Sequence, residues 1–210
     1  WARPAYTILA VLTLALGIGG TAAVYGLARG LLFDPLPYED EAGIGVFWMH
    51  YSWSEQEFLH LRDGNHFAGF RQVAAYRPED VTLRAGDAPA RLVPGIASSA
   101  ELFGVLGARP ILGRAFQPGD DLSGAEPVAV LSWGLWQELG GSPSIVGSRL
   151  ALDGQPRTVV GVMPRGFWFP DPAVRVWTPA QLDPESTSGN YTFIGRALPG
   201  VDVANMGAPL

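Results

Sequence analysis

Three histidines, a serine at a strand-to-helix junction and a handful of acids are the side chains whose types and spacing could do chemistry in this sequence. His60 and Asp63 stand three apart on an expected helix, with His66 just beyond it. A divalent metal would need helix and trailing loop to converge, and no H-E-x-x-H pattern is present, so surface or half-buried histidine is the simpler account. Ser132, in Leu131-Ser132-Trp133, stands where a nucleophile elbow would put its serine, with one of His50, His60 or His66 as its base. The glycine that G-x-S-x-G requires ahead of the serine is missing, and helix capping accounts for Ser132 fully. Asp120-Asp121 with Glu126 reads either as oxygen ligands for Ca²⁺ or as solvated loop acids. Glu101 and Glu138 are isolated in sequence, so no paired-carboxylate site is expected. The expected catalytic, metal and cofactor inventories of this chain are therefore all empty.

Two further patterns need a decision. Gly17-Ile-Gly19-Gly-Thr-Ala22 fits the dinucleotide fingerprint G-x-G-x-x-A. That turn should expose its glycines between a strand and an amphipathic helix, whereas here the apolar run continues to Ala28 and no βαβ unit follows. Trp133 and Trp136 share a helix face, expected against the core. Phe167-Trp168-Phe169, between Pro164 and Pro170, reads either as an exposed contact patch or as a core plug.

Composition narrows the field from the other side. The chain has 210 residues, 48% hydrophobic and 16% charged, which is globular or membrane-associated and not disordered. There is no cysteine, which excludes a disulfide scaffold, thiol catalysis and iron–sulfur ligation. All 14 basic residues are Arg, which excludes a P-loop lysine and a Schiff base. Net charge −6 and a pI near 5.0 argue against nucleic acid as a partner.

The charge is divided. Residues 1–33 hold Arg3, Arg29 and no acid, while residues 34–210 hold all 20 acids. The expected organisation is a transmembrane helix with its flanks over 1–33 and an extracytoplasmic domain over 34–210. From Ala5 to Ala28 no residue is charged, and a helix of that length reaches about 36 Å, enough for a hydrocarbon core. A secretory signal has a shorter apolar region. Ala15, Gly19 and Ala23 recur every four residues, as do Ala22, Gly26 and Gly30, and such ladders let helices pack closely in a bilayer. The start at Trp1 places the sequence inside a longer reading frame. The N-terminus is expected in the cytoplasm and the body outside.

The body reads as α+β: a strand-rich mixed domain with short helices. Asp34-Pro-Leu-Pro37 is a stiff connector. Strands are expected at 44–48, 73–76, 81–83, 91–97, 128–131, 174–178 and 191–197. Ser54-Glu-Gln-Glu57 is a capping box opening a helix that stops near Gly64. Ser98 or Ser99 should cap a short helix ending at Gly107, and Ser132 another ending at Gly140-Gly141. Asp153-Gly154 between Arg149–Leu152 and Arg157–Met163 is a type I′ hairpin signal, with Pro156 marking an edge or a wider loop. Pro199-Gly200 opens toward a further element that Leu210 cuts short.

Several stretches together carry a family resemblance. Leu12-Thr-Leu-Ala-Leu-Gly-Ile-Gly-Gly-Thr-Ala-Ala23 with Leu31-Leu-Phe-Asp-Pro-Leu-Pro-Tyr38 resembles the first span and exit of MacB-like and FtsX-like ABC-transporter permeases. Leu106-Gly-Ala-Arg-Pro-Ile-Leu-Gly-Arg-Ala-Phe116, Val130-Leu-Ser-Trp-Gly-Leu-Trp136, Asp153–Pro164 and Gly166-Phe-Trp-Phe-Pro170 are similar to that family's periplasmic core domain. The resemblance implies an inner-membrane permease fragment with a non-enzymatic outer domain, three more spans beyond it, and ATP used by a separate nucleotide-binding domain or subunit. It implies as partners the membrane, that ATPase, a second permease chain or identical copy, and a periplasmic adaptor or substrate protein. It assigns no role to the loop acids or the Trp-rich stretch. The alternative is a single-span anchored sensor or adapter whose outer domain binds a ligand.

Overall fold

The computed structural model describes residues 4–32, 43–47, 54–64, 69–86, 88–187 and 189–201. The chain divides into two compact units, Trp1–Leu36 and Pro37–Leu210. The first contains α1 (Pro4–Leu32), 29 residues long. Thr13 and Thr21 do not break it, because each hydroxyl donates back to a carbonyl four residues earlier, Leu9 O at 3.0 Å and Gly17 O at 2.6 Å. Taken over the described residues alone, no helix is long and apolar enough to cross a membrane. The described side chains of α1, residues 8, 9 and 11–25, are fewer than the roughly 20 a span needs.

In the second unit, eleven strands among the described residues form one mixed sheet. They are β1 (Ile44–Phe47), β2 (Phe70–Pro78), β3 (Val81–Arg84), β4 (Arg91–Val93), β5 (Gly95–Ser98), β6 (Leu112–Gly113), β7 (Val128–Leu131), β8 (Arg149–Leu152), β9 (Gln155–Val162), β10 (Val176–Pro179) and β11 (Thr192–Ala197). Their order is β1-β11-β2-β5-β10-β7-β9-β8-β3-β4, with β6 on β9. The pairs β5–β10 and β7–β9 are parallel and the others antiparallel. The first and last strands are neighbours, with Ile44 opposite Arg196. Among the described residues the unit also holds three short α-helices, α2 (Glu55–Asp63), α3 (Leu102–Val105) and α4 (Trp133–Glu138), and a 3-10 turn at Pro143–Ile145.

The expected strand over 91–97 is two strands. Pro94 has no N–H to give a ladder, and its carbonyl is taken by Arg175 N at 2.8 Å, so the chain changes partners there. Before Pro94, β4 pairs with β3; after it, β5 pairs with β2 and β10. β4 lies at one end of the strand order and β5 in its middle, yet one residue separates them. The path from β5 through β10, β7, β9, β8 and β3 to β4 must therefore curl back on itself. Inside the curl lie Val81, Leu83, Val93, Ala129, Leu131, Leu152, Val159 and Val176, with Leu135 of α4 among them.

Alternation then distributes the remaining side chains. In β7, Ala129 and Leu131 join that interior, while Val128 and Val130 join a second core with Ile96, Phe103 and Trp177. All four residues of β7 are buried, which is why it reads as an unbroken apolar run. Across β2 and β11, Ala74 and Ile194 face the second core, whereas Val73, Ala75 and Phe193 meet Phe58 and Leu59 of α2 in a third. The sheet is thus covered on both faces where the two helices α2 and α3 lie.

Local signals hold well. Ser54 and Glu57 form both bonds of the capping box, and Gly64 caps the other end of α2. Asp153 (φ 51°) and Gly154 (φ 75°) make the two-residue hairpin turn, and Asp153 Oδ1 also accepts from Thr82 N at 2.7 Å. Pro156 is accommodated because β7 begins to pair with β9 only at Thr158, leaving that side of β9 open at the proline. Leu135 is the side chain α4 buries; Trp133 and Trp136 are half-exposed, one beneath the Arg165 guanidinium at 5.2 Å and the other donating to Ser142 O at 3.0 Å. They do not plug the core. The connector Asp34–Pro37, Trp48 and Trp53 lie outside the described residues.

β6 and β9 meet at a glycine pair, Gly113 opposite Gly161. A Cβ on Gly161 would lie 2.2 Å from Arg114 O, a backbone atom that cannot move aside. Gly161→Ala is expected to destabilise the fold by about 1–3 kcal/mol, as overpacking does. Denaturant midpoints checked against Gly154→Ala would test this, since Gly154 has open space and only a backbone penalty at its positive φ.

Candidate functional site

α3 is short and lies on β2 and β11, and a cleft of about 580 Å³ opens beside it. Arg71 and Gln72 come to this cleft from β2, Arg196 from β11, Glu101 and Gly104 from α3 and its approach, and Arg109 from the loop that follows. Gln72 and Arg196 are cross-strand partners, so they share a face of the sheet. Arg196 Nε donates to Val105 O at 2.7 Å, which ties β11 to the last turn of α3. That turn ends as expected at Gly107 (φ 66°), with Ala108 N donating to Phe103 O at 2.9 Å. A Cβ on Gly104 would lie 2.7 Å from Gln72 Oε1, so the helix approaches the strand closely because that residue is glycine.

The start of α3 is set differently from the expectation. Ser98 is buried within β5, and the Ser99 hydroxyl accepts from Ala75 N at 3.2 Å, so neither side chain caps the helix. A carboxylate from a distant loop holds this corner instead. Asp121 Oδ2 accepts from Ala100 N at 3.0 Å and lies 3.3 Å from Arg62 Nη1. Arg62 Nη1 is also 3.7 Å from Glu101 Oε1, and its Nε bonds Asp63 at 2.9 Å. The Asp121 side chain is 1% exposed. Burial pushes the Glu101 carboxyl above its ordinary value, with Ser99 and Arg62 pulling the other way.

The remaining expected residues scatter. Asp120 bonds Arg114 and Gln117 N, and Glu126 receives Thr158 Oγ1, so these acids diverge from Asp121 and do not gather around a cation. Solvated loop acids is likewise wrong for Asp121. Among the described residues no group of three or more metal-ligating side chains converges, and His60 is exposed on α2. His50 and His66 lie outside the described residues. Ser132 caps α4, its hydroxyl accepting from Leu135 N at 3.1 Å. Phe167 and Phe169 are buried, packing on Trp177 and Tyr76 respectively, and Trp168 is half-exposed. The triplet is thus mostly core plug and not an exposed contact patch. Ala15, Gly19, Ala22, Ala23, Gly26 and Gly30 all lie on α1, and Gly19 has open space where a Cβ would stand. Glu138 is not isolated: it bridges Arg91 at 2.5 Å and Arg175, and these bonds hold its carboxyl below its ordinary value.

The cleft itself was not legible from motifs. Arg71, Arg109 and Arg196 are far apart in sequence and come together only through the β2–β11 pairing and the α3 turn. The signal that could have pointed to them is weak: three arginines without a nearby acid at i±3 or i±4.

The family model described as MacB-like periplasmic core domain matches residues 7–209. Solved structures share the fold. The periplasmic region of MacB from Actinobacillus actinomycetemcomitans superposes with a TM-score of 0.55 at 15% identity, covering 74% of this chain and 70% of that one. A domain of a putative permease protein from Porphyromonas gingivalis gives 0.60 at 13% identity, covering 80% and 78%. The extracellular domain of the noncanonic ABC-type transporter YknZ from Gram-positive bacteria gives 0.51 at 21% identity, covering 70% and 73%. No curated protein matches.

Two outcomes follow from the ionic corner. Asp121→Ala strands Arg62 and the Ala100 amide, and is expected to cost about 3 kcal/mol of stability, read as a lowered unfolding midpoint. For Glu101 the folded-state value lies above the unfolded one, so its stabilising contribution is complete at low pH and is lost as pH rises through the folded value. Wild type should therefore lose stability relative to Glu101→Gln as pH rises from about 4 to about 8; a difference that does not vary with pH would contradict the burial effect.

Proposed function

The chain belongs to the family of MacB-like periplasmic core domains, and from that premise we propose that it is the first span and outer domain of an ABC-transporter permease of the MacB and FtsX type. The observation that carries this reading is the family match, which runs through α1 and the whole mixed sheet. α1, at 29 residues, extends about 43 Å, more than a hydrocarbon core requires. The hydroxyls of Thr13 and Thr21 are bonded to its own backbone, as a lipid environment demands. The ladders Ala15-Gly19-Ala23 and Ala22-Gly26-Gly30 suit close packing against further helices of the same permease or of a second copy.

In this reading the outer domain does no bond chemistry. A separate ABC ATPase domain or subunit hydrolyses ATP at the cytoplasmic face, and the motion reaches the outer domain through α1 and the other spans. The domain passes it to exported substrate, or to a periplasmic adaptor or substrate protein. The N-terminus is cytoplasmic, and residues from 34 onward lie outside the inner membrane.

The absence of cysteine gives a clean topology test. A single Thr187→Cys at an exposed position should react with a membrane-impermeant maleimide in intact spheroplasts. Labelling only after lysis would overturn the proposed orientation. Detergent-solubilised chain should co-purify with a co-expressed ABC ATPase subunit and show no ATP hydrolysis once that subunit is removed. Hydrolysis that persists in the isolated chain would overturn the non-catalytic assignment.

A further inference from the structure

Acids outnumber arginines 20 to 14 in this protein, yet only some arginines are ion-paired among the described residues, and Arg84, Arg149, Arg157 and Arg165 are not. Arg62, Arg77, Arg91, Arg114 and Arg175 all have an acidic partner. Arg71 and Arg109 have no ion-pair partner among the described residues; both are exposed, and both line the cleft beside α3. Arg196, on the same wall, is held in place by Val105 O.

We propose that this cleft binds an organic ligand carrying two or more oxyanion groups, with Arg71 and Arg109 as the residues that recognise them. A guanidinium presents a planar fork of donors matched to carboxylate or phosphate oxygens, and it stays charged at any working pH. The size of the cleft, about 580 Å³, falls within the range of small-molecule sites and far exceeds the need of a lone inorganic ion. Its floor is polar and open, since Gly104 and Gly107 carry no side chain and the Gln72 amide lies against Gly104. Phe116 and Pro118 add an apolar edge for the body of the ligand. Glu101 is the opposing charge in the cleft. Its Oε1 lies 3.7 Å from Arg62 Nη1, and burial raises the carboxyl above its ordinary value, so the repulsion it offers an anion in the cleft is reduced. The site does not depend on the transport reading; it belongs to the outer domain alone.

The oxyanions could belong to a free organic acid or to acidic side chains on a partner protein, and calorimetric titration separates the two. The full 210-residue chain in detergent micelles would be titrated with citrate and, separately, with the peptide acetyl-Glu-Glu-Leu-Glu-amide, at low ionic strength against matched NaCl. Saturable binding of at least one probe is expected, weakening about tenfold or more in Arg71→Ala/Arg109→Ala. Arg149→Ala, an exposed arginine of β8, should leave it unchanged. Preference for citrate identifies a free organic acid, and preference for the peptide an acidic segment. No saturation with either probe would overturn the proposal. So would undiminished binding in the double variant, or an equal loss with Arg149→Ala, which would mark diffuse charge attraction. If the double variant fails to fold, Arg109→Gln, in a loop, is judged by the same criteria.

Discussion

A carboxylate cut off from water must be answered by the protein, and that of Asp121 is answered by two separate stretches of chain, while its backbone holds a third. Its Oδ2 meets the Ala100 amide and the Arg62 guanidinium, and its main-chain oxygen accepts from Leu182 N at 2.6 Å. Burying an ion costs several kcal/mol, and pairing offsets this only where geometry and extra hydrogen bonds are good. Among the described residues Oδ1 has no partner, so the pairing is incomplete. The corner after β5 therefore has little freedom: moving it would leave Asp121 less satisfied still. Because α3 begins at that corner, the cleft beside it inherits a fixed wall.

The other walls come from the sheet. β2 and β11 are packed on one face by α2 and on the other by α3 and the aromatic cluster of Phe103, Phe167 and Trp177, so neither strand can shift alone. The curl from β5 round to β4 is closed by a further device. Glu138, on α4, holds both Arg91 of β4 and Arg175, whose amide also takes the Pro94 carbonyl. These surface pairs are individually worth little. Their position at the point where the strand changes partners is what gives them a role in register.

What was legible in the sequence was local. The Ser54–Glu57 capping box, the Asp153-Gly154 turn, the Ser132 cap and the apolar run of β7 each depend on residues within a few positions, and each reads correctly. What was not legible depends on long-range pairing. The 91–97 segment looks like one strand because alternation does not reveal that its two halves have different neighbours. Ser98 and Ser99 resemble caps because the competing demand of the Ala75 amide comes from another strand. Glu101, Asp121 and Glu138 look like ordinary loop or helix acids until the fold places arginines beside them. The Phe167-Trp168-Phe169 stretch could be patch or plug on composition alone, and only the position of Trp177 and Tyr76 decides it. The arginine cleft has the same origin, since it exists only where β2, β11 and α3 meet.

The antiparallel pairing of β1 with β11 puts the entry and the exit of the sheet side by side, Ile44 against Arg196. A tension applied between those two points acts across the ladder and not along it. It loads the hydrogen bonds one at a time, as in opening a zip, so the short outer strand β1 yields at low force while the curled remainder stays intact. Through Arg196 and its bond to Val105, the same pull is felt next by α3. The domain thus opens most readily at its seam, from β1 inward.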